Sequence, residues 1–120
     1  MQREKIFQYV KTQYGTEPEY LWKDNPDAAV LRHHPSNKWY AILMKVPGEK
    51  LGLDEKTLVD IIDVKADPTM IDMLIQTYGF LPGYHMNKRH WLTILLDGSV
   101  RDAQVLDFLD MSYDLIDGSK

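Results

Sequence analysis

There is no cysteine anywhere in this chain. Disulfides, thiolate nucleophiles and cysteine zinc sites are excluded together, and the usage is that expected where thiols stay reduced. Long apolar runs are also missing. Nothing approaches the roughly 18 consecutive apolar residues of a membrane span, and the opening MQREKIFQYVK is charged where a secretion signal would be apolar. A cytoplasmic location is therefore expected. The seven glycines form no phosphate-binding loop, and Ser36, Ser99 and Ser112 fall in neither a G-x-S-x-G nor an S-x-x-K context. These absences leave no catalytic constellation, so the chain is not expected to be an enzyme. No metal or organic cofactor is expected to be needed for folding.

What remains is 120 residues with 44% hydrophobic content, enough for one domain around one core. The net charge of −4 argues at first against nucleic acid, because phosphate binding depends on lysine and arginine. The average conceals a partition. Residues 1–96 carry 12 Lys+Arg against 12 Asp+Glu, and the whole excess of acid lies in residues 97–120. Ala28 to Val46 holds Arg32, Lys38 and Lys45 without an acid, and Phe80 to Leu96 holds Lys88 and Arg89 without an acid. Two basic stretches stand against an acidic tail.

Ile6, Phe7, Val10 and Tyr14 recur at helical spacing over residues 2–14, and Gly15 with Pro18 supplies the stop. Short apolar runs at Tyr20 to Lys23, Ala28 to His33 and Lys38 to Val46 are separated by Asp-Asn-Pro-Asp and Pro-Ser-Asn, which is turn chemistry. They read as antiparallel strands. In the third, Trp39, Ala41 and Leu43 alternate with Tyr40, Ile42 and Met44, so both faces are apolar, as in a central strand. Val59 to Ala66 is rich in β-branched residues and predicts another strand. Asp67-Pro68 then reads as a cap and first helical residue, with Ile71, Leu74, Ile75 and Tyr78 on one face and Gly79 as the stop. Phe80 to Arg89 reads as a loop and His90 to Leu96 as a strand. A last helix is predicted from about Arg101 to Ile116, with Leu106, Leu109, Tyr113 and Ile116 inward. The fold class is α+β: a single antiparallel sheet of about five strands with the helices on one face.

The run Pro82-Gly83-Tyr84-His85-Met86-Asn87-Lys88-Arg89-His90-Trp91, followed by TILLDGSV, resembles the signature segment of the MmcQ/YjbR family. So do VDIIDVKADP at Val59 to Pro68, KWYAILMKV at Lys38 to Val46, and the closing Ser112 to Ile116. The resemblance implies a fold similar to the CyaY, frataxin-like arrangement and DNA binding through a double-wing motif. Iron delivery is not implied, since the first helix lacks an acidic ridge.

The segment His85 to His90 is the most specific candidate site. Two imidazoles, the Asn87 amide, the Lys88 ammonium and the Arg89 guanidinium in one loop suit phosphates and base edges. The plainer alternative is a loop anchored by Tyr84, His85 and Trp91, with its two cations merely solvated. Phosphate contacts are expected from Arg32, Lys38, Lys45, Lys88 and Arg89, with His85 and His90 beside them and Asn87 as the best candidate for a base edge. A zinc site from His33, His34, His85 and His90 matches no standard spacing. Asp107, Asp110, Asp114 and Asp117 fall in one stripe of the last helix, either a solvated face or a dock for a basic protein partner. Trp22, Trp39 and Trp91 sit at strand positions and are more often core than base-stacking surfaces.

Overall fold

The first helix forms where the sequence alternates charge with a narrow apolar stripe. It spans Arg3–Tyr14 (α1), buries Ile6 and Val10, and ends at Gly15, whose φ of 69° lets the turn close back on the Lys11 and Val10 carbonyls. The computed structural model describes residues 1–117. After α1 come β1 (Ala29–Arg32), β2 (Trp39–Pro47), a short 3₁₀ turn at Gly48–Leu51, and β3 (Leu58–Lys65). The rest of the chain supplies α2 (Pro68–Leu74), β4 (Phe80–Pro82), β5 (Trp91–Leu95) and α3 (Asp102–Asp117).

The five strands form one sheet in the order β1-β2-β3-β5-β4, with every pairing antiparallel. All three helices lie on one face, over Ala29, Leu31, Ala41, Leu43, Ile62, Val64, Leu92 and Ile94. The other face carries Val30, Ile42, Met44, Val59, Ile61 and Leu95, and is closed by the 3₁₀ turn and the β4–β5 loop through Leu51, Leu53, Tyr84 and Met86. The expected architecture therefore holds, with a second small core beneath the sheet.

Several elements differ from the expectation. Tyr20 to Lys23 is not a strand: Glu19 makes one isolated bridge to Val30, and Tyr20, Leu21 and Trp22 then leave the sheet edge exposed. Pro18 and Pro26 flank the segment, and proline cannot donate to a ladder. The fifth strand is instead β4, at the start of the predicted loop. The α2 helix stops at Leu74, one turn early, because the chain must reach the far sheet edge. Gly79, at φ +106°, makes that turn, and a Cβ there would lie 2.7 Å from Val100 Cγ2. The inward face of α3 is centred on Val105, Phe108, Leu109, Ser112 and Ile116, with Leu106 and Tyr113 only half-buried.

The most consequential departure is a β-bulge. Leu31 pairs with Ala41 and Arg32 with Trp39, so Tyr40 is an extra residue. Tyr40 therefore joins Ala41 on the helix side, edge-on to Tyr14 and Tyr113, and Trp39 turns to the opposite face. The register of β2 with β3 would set Tyr40 against Lys65, but that rung is not made directly. The Ser112 hydroxyl stands in for it, accepting from the Lys65 N–H at 2.9 Å and donating to the Tyr40 carbonyl at 2.6 Å. Ser112→Ala would leave a buried N–H and a buried carbonyl unpaired, which costs about 1–3 kcal/mol. Urea denaturation should show a lower midpoint with an unchanged slope. An unaltered midpoint would mean that the bulge holds without the bridge.

Candidate nucleic-acid interface

Because β1–β2 and β4–β5 are both hairpins, their turns, residues 33–38 and 83–90, emerge at the same end of the sheet as the C-terminus of β3. Strands lie about 4.8 Å apart, so β2 and β5, separated by β3, hold the two turns roughly 10 Å from one another. Lys38 and His90 line a common cleft of about 400 Å³ with Lys65, alongside Asp67. Lys65 is held with its ammonium 5.7 Å from the centroid of the Trp91 ring. Arg89 projects from the second turn and Lys38 from the first, while Lys88 bends its ammonium back to the stem of its turn; all three residues are exposed.

The second turn is built, not merely loose. Its stem closes through the Gly83 N–H to the Trp91 carbonyl at 3.0 Å, and Lys88 Nζ donates to the Gly83 carbonyl at 2.9 Å. His85 takes a positive φ of 59°. The Asn87 side-chain oxygen accepts from the Arg89 N–H at 2.9 Å, an Asx turn that presents Arg89 outward. Tyr84 ties the loop to the sheet: its N–H donates to Thr93 Oγ1 at 2.8 Å, and the Thr93 hydroxyl donates to Asp63 Oδ1 at 2.5 Å.

Asp63 is the least expected residue of this region. It is 0% exposed, lies on β3 under the loop, and its second oxygen has no hydrogen-bond partner among the described residues. Burial raises its pKa to about 7, even though the Thr93 hydroxyl, the Lys88 charge and the Tyr84 N–H favour the ionised form.

The other expected contacts distribute unevenly. Arg32 is bound by Glu19, with Nε 3.0 Å from Oε2, and donates to the Asn37 carbonyl at 3.0 Å. Lys45 lies six residues along β2 from Trp39, at the opposite end of the sheet on the helix side, 3.6 Å from Asp60, which also faces Arg3 at 3.9 Å. Asn87 spends its acceptor on the turn and keeps only its amide donors for a ligand. His33 is buried on the helix side, hydrogen-bonded to Ser36 and against Tyr113, whereas His85 lies exposed beside Tyr84. Among the described residues no three metal-capable side chains converge.

The acidic stripe is also broken. Asp110 points toward α1, accepting from Tyr9 at 2.7 Å and from Tyr14. Burial and this carboxylate push the Tyr9 phenol up to about 12, and Tyr14 upward as well. Asp107 and Asp114 are exposed, and the Asp117 side chain lies outside the described residues. Lys65 joins this edge although nothing in its local sequence marks it as basic surface. It follows Asp60 and Asp63 closely, yet Asp63 is buried and Asp60 is paired with Lys45 and Arg3 at the far end of the sheet.

The sequence pattern of the YjbR family matches residues 11–115. The chain belongs to the YjbR family. It is 42% identical to YyaQ of Bacillus subtilis over 94% of this chain and 96% of that protein, and 33% identical to YjbR of Escherichia coli over 64% and 67%. A crystal structure of a Pseudomonas syringae protein superimposes with a TM-score of 0.92 at 39% identity, covering 96% of this chain and 98% of that one. A Deinococcus radiodurans protein shares the fold at a TM-score of 0.73 and 24% identity, over 95% and 77%. Among the described residues of this family member no helix is long and apolar enough to cross a membrane.

The Asp63 carboxyl generates a pH test. Its folded pKa of about 7 lies above the ordinary 3.8, so the native state holds the proton more tightly than the unfolded chain. Stability from this group is complete below about pH 4 and is lost as pH rises toward 7, by at most roughly 1.4 kcal/mol per pH unit. Asp63→Asn cannot ionise and should abolish that decline. Urea midpoints of the two proteins should therefore diverge between pH 5 and pH 8 in favour of the variant; parallel profiles would contradict the assignment.

Proposed function

We propose that this protein binds nucleic acid, with DNA the expected form, through the basic end of its sheet. The carrying observation is the convergence of Lys38, Lys65, Lys88 and Arg89 from two hairpin turns and a strand end onto one edge, in a chain whose overall charge is negative. Positive groups gathered on one edge are the electrostatic footprint of a phosphate-binding surface. Of the acids nearby, Asp63 is buried, while Asp67, which caps α2, and Asp114 are exposed and line clefts with Lys65, so the cations outnumber but do not exclude acids at this edge. The two turns flank the strand end as a pair, and in this reading each serves as one wing of the double-wing motif. Asp63 is sealed from solvent and cannot meet a substrate, so binding rather than catalysis is the reading this edge supports.

With about four phosphates neutralised, log K should fall against log salt with a slope of about −3.6. The test is fluorescence anisotropy with duplex and with single-stranded DNA from about 50 mM salt upward. Lys38→Ala combined with Arg89→Ala should weaken binding and reduce the slope by about 2. Lys45→Ala should change neither, because Lys45 is neutralised by Asp60 at the far end. No binding of either duplex or single strand by the wild type at the lowest salt, or equal losses from Lys45→Ala and from the double variant, would overturn the reading.

A further inference from the structure

Plain alternation along β2 would set Trp39 among the helix-facing residues; the bulge at Tyr40 turns it to the other side. Bulges are over-represented beside functional sites because they re-aim a side chain. Here the re-aimed indole meets Trp22 edge to face, with ring centroids 5.8 Å apart and planes at 88°. The two tryptophans line an open pocket of about 320 Å³, with Ile42 and Met44 contributed by the sheet and His85 and Met86 by the β4–β5 loop. Trp22 is 41% exposed, which leaves part of its indole open to a ligand. The Arg32 guanidinium lies 5.9 Å from the centroid of the Trp39 ring, which helps fix that wall.

We propose that this pocket receives one unstacked nucleobase, so that the nucleic acid held at the basic sheet end is engaged as an unpaired strand. The inference rests on the nucleic-acid reading above and adds what form the ligand takes. The volume lies at the lower limit for small-molecule sites, which suits one flat ring system. Indole faces stack on any base, and the two methionines adapt to its outline. Charge sets the orientation. Asp24 and Asn25 also line the pocket, and a carboxylate there repels a phosphate while its oxygens accept from a base amine. The backbone is thereby directed to the opposite side, where His85 leads along the chain to Lys88 and Arg89, and Trp39 follows Lys38. In a duplex the base would first have to leave its stack.

The test uses the full chain and a labelled single strand of about ten nucleotides, within the usual site sizes, compared with an abasic strand of the same length and with duplex. Wild type should bind the base-containing strand roughly tenfold more tightly than the abasic one. Trp22→Ala, at an exposed position, should erase that difference while leaving abasic binding unchanged, and Trp22→Phe should restore most of it. Equal wild-type affinity for both single strands, or tighter binding of the duplex, would overturn the base pocket while leaving the basic surface standing. Failure to bind any of the three would overturn both.

Discussion

One buried hydroxyl organises the end of the sheet that carries both hairpin turns. Ser112 of α3 joins the Tyr40 carbonyl to the Lys65 N–H at the rung that the bulge leaves open. It fixes three things at once. The last helix is docked on the sheet, Tyr40 is kept among the aromatic rings of Tyr14 and Tyr113, and Trp39 is left on the other face. A direct ladder bond would satisfy the same two backbone groups, but only with Tyr40 returned to the register and its neighbour turned inward.

The charges are sorted by the same framework. Two acids are held away from the basic edge, Asp60 between Lys45 and Arg3 and Asp110 under two tyrosine hydroxyls, while Asp67 stays beside Lys65 at the start of α2. Asp63 also stays close, directly beneath the loop that carries Lys88 and Arg89. Thr93 couples that carboxyl to the loop backbone through Tyr84, so the loop is anchored by a buried group whose ionisation the fold resists. A loop fixed from below holds its cations in place without spending binding energy to order them.

Periodicity made the sheet, the helices and their shared face legible in the sequence, because Val, Ile and Leu at intervals of two or three to four residues report burial directly. The basic hairpins were legible for a related reason: Lys38, Lys88 and Arg89 sit in windows free of acid, and turn residues bracket them. What periodicity cannot see is a change of register. Trp39 and Tyr40 exchange faces because of one inserted residue, and nothing local in KWYAIL announces it. Three-dimensional pairing is equally invisible in a linear count, which is why Arg32 and Lys45 read as available although Glu19 and Asp60 hold them, and why Lys65 was passed over. Asp110 reads as part of an outward stripe for the same reason; the tyrosines that bind it are roughly a hundred residues away in sequence.

The most direct test of the central claim, that the Ser112-pinned end of the sheet is the binding surface, is amide and indole chemical-shift mapping by NMR as a single-stranded oligonucleotide is added to the full chain. The shifted signals should cluster in residues 33–38, at Lys65, in residues 83–91 and at the Trp22 and Trp39 indoles. Changes confined to the Lys45–Asp60 end, or to the exposed side of α3 around Asp107 and Asp114, with the two turns unmoved, would contradict it.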